Sequence, residues 1–189
     1  MKALNHRHLL VLTAVLLLSG AAWTWLSRSD PTQVTGGAIP APRQGFQAPD
    51  FSLPDATGQA VRLSELRGRP VLLNVWASWC GPCQAEMPAM QRLYQDYRSR
   101  GFEILAVNAT AQDDRQQALG FVQELGLSFP ILFDEQNQVS NLYQVQSLPT
   151  TFFIDSRGMI QEVVIGGPMS EALLRVRVEQ LLEADAEGF

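Results

Sequence analysis

The sequence predicts an α/β fold, a mixed β-sheet flanked by helices. Three observations carry that expectation. Strand-like and helix-like segments alternate through the middle of the chain. A hairpin pattern follows late, with Thr150–Ile154 and Ile160–Ile165 around the turn Asp155-Ser156-Arg157-Gly158. The apolar run Val71–Trp76 leads straight into an amphipathic helical pattern.

Each element has its own signal. Residues 51–53 and 60–63 flank the turn signal Asp55-Ala56-Thr57-Gly58 and read as an N-terminal β-hairpin. Val71–Trp76 suits a central strand buried on both faces. From about residue 84 to residue 100, Met87, Met90, Leu93, Tyr94 and Tyr97 recur at three-to-four spacing, an apolar stripe that faces a sheet. Pro88 lies inside that helix and is expected to bend it. Residues 102–107 read as the next strand, 115–125 as a helix, 129–133 as a short strand and 138–143 as a short helix. Residues 170–182 close the chain as a helix with Ser170 as its N-cap.

The chain divides before this domain begins. Residues 1–8 are basic, with Lys2 and Arg7, and are expected in the cytoplasm. Residues 9–26 form a charge-free apolar run whose length suits either a transmembrane anchor or a signal segment. Ser19, Gly20, Ala21 and Ala22 offer a cleavage site, whereas Trp23 and Trp25 suit a membrane interface. Residues 27–45 read as a flexible linker, rich in Pro, Gly, Thr and Ala from Pro31 onward. Residues 46–189 are expected to form one domain with one core. This arrangement predicts a single-pass protein of the cell membrane with its domain on the periplasmic side. Beyond Asp30 the chain has 11 Arg, no Lys and 18 Asp plus Glu. No basic stripe stands out, so nucleic acid is not an expected partner.

The chemistry concentrates in Asn74-Val75-Trp76-Ala77-Ser78-Trp79-Cys80-Gly81-Pro82-Cys83, which holds the only two cysteines. A metal half-site is one reading, but structural zinc takes four Cys/His ligands and the only histidines are His6 and His8, so no metal is expected. A structural disulfide is another, although one that closes so short a loop removes little chain entropy. A C-x-x-C pair at a strand-to-helix junction favours redox chemistry, because free N–H groups and the dipole at the helix start stabilise a thiolate. Cys80, the first of the pair, is then the more acidic thiol. No histidine lies beyond His8, which argues against a Ser/Cys–His hydrolase.

Trp79-Cys80-Gly81-Pro82-Cys83 resembles the active site of the thioredoxin superfamily. The longer pattern, Asn74 to Cys83 followed by Glu86-Met87-Pro88, resembles its TlpA/ResA-like branch of membrane-anchored or periplasmic thiol-disulfide oxidoreductases. The similarity runs over about residues 46–182 and includes Gln47-Ala48-Pro49-Asp50-Phe51, Leu63-Ser64-Glu65-Leu66-Arg67-Gly68 and Leu148-Pro149-Thr150-Thr151-Phe152. It implies a thioredoxin fold with a helix-containing insertion around residues 109–130. It also implies that Cys80 is the nucleophile, that Cys83 is the resolving thiol, and that Glu86 exchanges a proton with Cys83; an exposed first-turn charge is the alternative for Glu86. Gly81 and Pro82 fit the tight turn that feeds the helix. Trp79 either shields the pair or simply packs. The Leu148–Pro149 bond is cis by the same resemblance, exposing the Leu148 backbone to an extended substrate.

Two positions depart from ordinary thioredoxins, which carry Asp where Asn74 stands and Lys where Gln84 stands. Asn74 does not exchange a proton at neutral pH. The resemblance implies reduction of protein disulfides such as apocytochrome c thiols, with electrons from a membrane thiol carrier and no cofactor beyond the Cys80–Cys83 disulfide. The alternatives are a thiol oxidant or disulfide isomerase, a peroxiredoxin-like antioxidant, and a non-catalytic tethered binding module.

Overall fold

The structure, a computed structural model, describes residues 15–20, 23 and 39–187, with side chains through residue 184. The basic N-terminus 1–8 and most of the segment 9–26 and of the linker 27–45 lie outside the described residues. Residues 15–20 are helical and exposed. Among the described residues no helix is long and apolar enough to cross a membrane.

The central sheet has the strand order β5-β4-β3-β6-β7. Its strands are β3 (Val71–Trp76), β4 (Glu103–Asn108), β5 (Ile131–Phe133), β6 (Thr150–Ile154) and β7 (Ile160–Ile165). β3 pairs in parallel with β4, and β4 with β5; β6 pairs antiparallel with both β3 and β7. The sheet is therefore mixed, as predicted. The N-terminal hairpin, β1 (Ser52–Pro54) and β2 (Ala60–Arg62), forms its own two-stranded sheet, linked to the main one by the bridge Asp55↔Leu132. Asp55 shapes its turn by accepting hydrogen bonds from the backbone N–H groups of Thr57 and Gln59, and Gly58 supplies the left-handed φ of +86°.

Strand alternation divides the core. Leu72 and Trp76 of β3 belong to the layer covered by α1 (Gly81–Tyr97) and α4 (Glu171–Glu187), with Met87, Met90, Leu93, Leu174 and Val178. Val71, Leu73 and Val75 face the other way, against Phe51, Leu53, Val139 and Tyr143. The period of two thus places Asn74, the one polar residue of β3, on the α1 side. Helix α2 (Arg115–Glu124) lies in the predicted insertion, and α3 (Gln138–Leu142) precedes β6.

The boundaries differ from expectation in instructive places. α1 starts at Gly81 rather than near residue 84, because Gly81 and Pro82 occupy its first turn, where a missing proline N–H costs no hydrogen bond. It runs through Pro88 to Tyr97, and a 3-10 turn, Arg98–Arg100, and Gly101 at φ +86° end it. Asp114 caps α2 by accepting from Gln117 N–H at 2.9 Å, a signal not read from the sequence. β5 begins only after Pro130, which has no N–H to donate. α4 is capped by Ser170, whose Oγ accepts from Leu173 N–H at 3.3 Å, and continues past residue 182 because 183–187 contain no stop signal. Residues 41–48, partly assigned to the linker, join the domain: Gly45 N–H donates to Ile160 O and Ile160 N–H to Phe46 O.

Candidate active site

Cys80 is the N-cap of α1, and Cys83 lies in its first turn. The two are joined as a disulfide with a Cα separation of 5.2 Å. Cys80 Sγ accepts a hydrogen bond from Cys83 N–H at 3.3 Å, so the outer sulfur already occupies the anion position of the helix terminus. Cys80 retains 5% exposure and Cys83 none. Of the two, Cys80 is the one that keeps contact with solvent.

Glu86 is fully buried and does not occupy the exposed helix-terminal position that was its alternative. Its Oε1 accepts from Asn74 Nδ2 at 2.9 Å and its Oε2 from Met169 N–H at 3.1 Å. Burial pushes the carboxyl above its ordinary value, and those two donors, Met169 N–H before Asn74, offset part of the rise. Asn74 Nδ2 also donates to Thr151 Oγ1 at 2.9 Å across the β3–β6 pairing, while its buried Oδ1 has no partner. Asn74 thus holds the carboxylate in place.

The Leu148–Pro149 bond is cis, as is Gly167–Pro168. Pro149 precedes Thr150, which pairs with Val75, so it lies at the end of β3 from which the cysteine loop departs. Pro149 O accepts from Gly166 N–H at 2.8 Å. Gly167 fills the space between Pro149 and Glu86: a Cβ there would lie 2.7 Å from Pro149 Cγ and 3.0 Å from Glu86 Oε2. Gly167, Met169 and Thr151 were not singled out from the sequence. Gly166-Gly167-Pro168 carries a turn signal, but nothing local tells that it meets residues 86 and 149.

Trp79 is 59% exposed and donates its indole N–H to Gln112 O at 2.9 Å. Its ring forms one wall of a cavity of about 200 Å³ shared with Ala109, Val145, Gln146, Ser147 and Leu148. Ser78, just before Trp79, donates its N–H and its hydroxyl to the Asp113 carboxylate, both at 2.6 Å. The start of the insertion therefore grips the cysteine loop.

Residues 45–163 match the model of the AhpC/TSA family. The chain is 41% identical over 172 residues to the thiol-disulfide oxidoreductase ResA of Geobacillus kaustophilus, covering 90% of this chain and 95% of that protein. Among solved structures, a candidate thiol:disulfide interchange protein DsbE of Chlorobium tepidum superposes with a TM-score of 0.66 at 36% identity, over 72% of this chain and 95% of that one. A secreted Mycobacterium tuberculosis disulfide oxidoreductase homologous to DsbE of E. coli superposes at 0.63 with 25% identity, over 69% and 96%. The Pro-x-x-x-Thr/Ser-x-x-Cys setting of a peroxidatic cysteine is not present, since Leu73 and Ala77 stand at its first two positions relative to Cys80. An alignment spanning nearly the whole of a ResA, carried by a thioredoxin-like fold with its cysteine pair at a helix start, places this chain in the AhpC/TSA family as a thiol-disulfide oxidoreductase similar to ResA.

Proposed function

We propose that this oxidoreductase reduces protein disulfides on the periplasmic side of the cell membrane, with the cysteine pair of apocytochrome c as its substrate. The observation that carries the reductant reading is the charge around the pair. Among the described residues, the charged groups that hydrogen-bond into the site are the carboxylates of Glu86 and Asp113, and neutral Gln84 follows Cys83. A thiolate without a cationic partner is less stabilised, and a less stable reduced form is the better electron donor.

The reaction then runs in two exchanges. The Cys80 thiolate attacks one sulfur of the substrate disulfide, forms a mixed disulfide and expels the other substrate sulfur as a thiolate. Cys83 passes its proton to Glu86 and attacks Cys80 Sγ, which releases the second substrate thiolate and leaves the Cys80–Cys83 disulfide. Two electrons have moved to the substrate. A membrane thiol carrier returns them by the reverse exchange, so the pair itself is the only redox group. The half-buried Leu148 presents its backbone to an extended substrate beside Pro149, and the cavity next to Trp79 takes a neutral side chain near the substrate cysteine. The apolar segment 9–26 anchors the chain, with Lys2 and Arg7 inside. The secreted Mycobacterium relative supports a location outside the cytoplasm.

Alkylation of the reduced protein at neutral pH tests the assignment: Cys80 reacts first, with a pKa below the free value of about 8.5. Cys83→Ser then traps the substrate as a mixed disulfide, and apocytochrome c is the expected catch. A reduction potential near about −120 mV, the value of a strong oxidant, would make the oxidant reading correct instead.

A further inference from the structure

We propose that Asp113 is a positioning residue of the redox site, clamping the segment that carries Cys80 and raising its reducing power through a fixed negative charge. This rests on the reading that Cys80 is the attacking thiol of a reductant.

Asp113 follows the 3-10 turn Thr110–Gln112 at the start of the insertion. Its Oδ2 accepts from Ser78 N–H at 2.6 Å and from Asn108 Nδ2 at 2.7 Å. Its Oδ1 accepts from Ser78 Oγ at 2.6 Å and from Asp114 N–H at 2.9 Å. Each oxygen thus takes two donors, an arrangement that suits an acceptor-only carboxylate. Neighbouring bonds extend the clamp: Trp79 Nε1–H donates to Gln112 O at 2.9 Å, and Ala109 N–H to Trp76 O at 2.9 Å. From the opposite side Gln84 Nε2 donates to Ser78 O at 2.5 Å. The loop between β3 and α1 is therefore held from both sides, by the insertion and by the helix it feeds.

Position makes this more than a structural contact. Ser78 lies two residues before Cys80, and Ser78 and Asn108 are both buried. A carboxylate bonded there opposes the negative charge that forms on Cys80, against the favourable helix terminus. At a separation of ~8 Å and an effective dielectric of about 20–40, a unit charge alters an ionisation equilibrium roughly five- to thirtyfold. Removing it should therefore stabilise the thiolate about tenfold, which in a two-electron couple is up to about 30 mV toward the oxidising side.

The test uses the purified full-length protein, reduced, with the rate of Cys80 alkylation by iodoacetamide followed against pH and the redox equilibrium followed against glutathione. Asp113→Asn removes the charge and is expected to move the alkylation profile about one pH unit downward. Asp113→Glu keeps the charge, and Ser78→Ala keeps it while removing one bond of the clamp; both are expected to leave the profile near that of the wild type. Circular dichroism identifies any variant that fails to fold; should Asp113→Asn be that variant, Asp113→Ser removes the same charge and is read in its place. An unmoved profile in Asp113→Asn overturns the proposal. So does a shift in Ser78→Ala as large as that in Asp113→Asn, because loop geometry would then be the cause. If Cys83 of the wild type is alkylated first, the nucleophile assignment falls, and this proposal with it; a failure confined to the Asp113 variants leaves that assignment standing.

Discussion

Replacing Gly167 with alanine puts a methyl carbon where the Pro149 ring and the Glu86 carboxylate already are. It would sit 2.7 Å from Pro149 Cγ, 3.3 Å from Pro149 Cδ and 3.0 Å from Glu86 Oε2. Carbon atoms prefer separations of about 3.5–4.0 Å, so something must move by roughly 1 Å. Neither neighbour is free to do so. Pro149 has a closed ring, and its carbonyl is tied to Gly166 N–H, one residue away from the new methyl. Glu86 is tied to Asn74 and to Met169 N–H, two residues beyond it. The cost should therefore match that of overpacking a core, about 1–3 kcal/mol. For a protein of this size that is about 2–4 °C in Tm per kcal/mol, or roughly 2–12 °C in all. The group approached most closely is Pro149, at the end of β3 from which the cysteines depart, and a misplacement there of ~1 Å can cost about a hundredfold in rate. Thermal unfolding of the oxidised protein and its rate of reducing a model protein disulfide measure the two effects. A Gly167→Ala protein within about 0.5 kcal/mol of the wild type at an unchanged rate would refute the packing argument.

Three further outcomes are expected. Burial raises the Glu86 carboxyl above 4.5, so between the unfolded and folded values the native chain binds the extra proton, and stability falls as pH rises through that window. Glu86→Gln should flatten the curve there, gain most at the alkaline end, and slow the resolution of the mixed disulfide; curves that run parallel to the wild type from pH 4 to 8 would remove Glu86 as the titrating group. Asp114→Ala removes the cap of α2 and should cost about 1 kcal/mol in denaturant unfolding; a cost near zero would mean that the Gln117 N–H is satisfied as well by water. A membrane-impermeant thiol reagent should label reduced Cys80 in intact spheroplasts, and labelling only after lysis would reverse the proposed orientation.

How much of this was legible in the sequence follows from the range of the interactions. The strand pattern of Val71–Trp76, the stripe Met87–Met90–Leu93, the Asp55 turn and the Ser170 cap are local signals, written within a few residues of where they act. They were enough for an α/β fold with a mixed sheet and for a cysteine pair at a strand-to-helix junction. The boundary errors were local as well: α1 was begun near residue 84 because Gly81 and Pro82 were read as the turn that feeds the helix, whereas they form its first turn, where proline is at home.

The sequence by itself determined the chemistry on offer, a C-x-x-C pair with neither lysine nor histidine beside it and with Glu86 three residues on. Only the tertiary structure decided what surrounds that chemistry. Asn74 and Thr151 meet because β3 and β6 pair antiparallel in one register, and a slip of one residue would turn Asn74 to the other face. Met169 reaches Glu86 from 83 residues away, Asp113 reaches Ser78 from 35, and Gly167 fits between Pro149 and Glu86. Hydrophobic periodicity tells which face of an element is buried. It does not tell which residue of another element will lie opposite, because that is settled by the packing of the whole core at once.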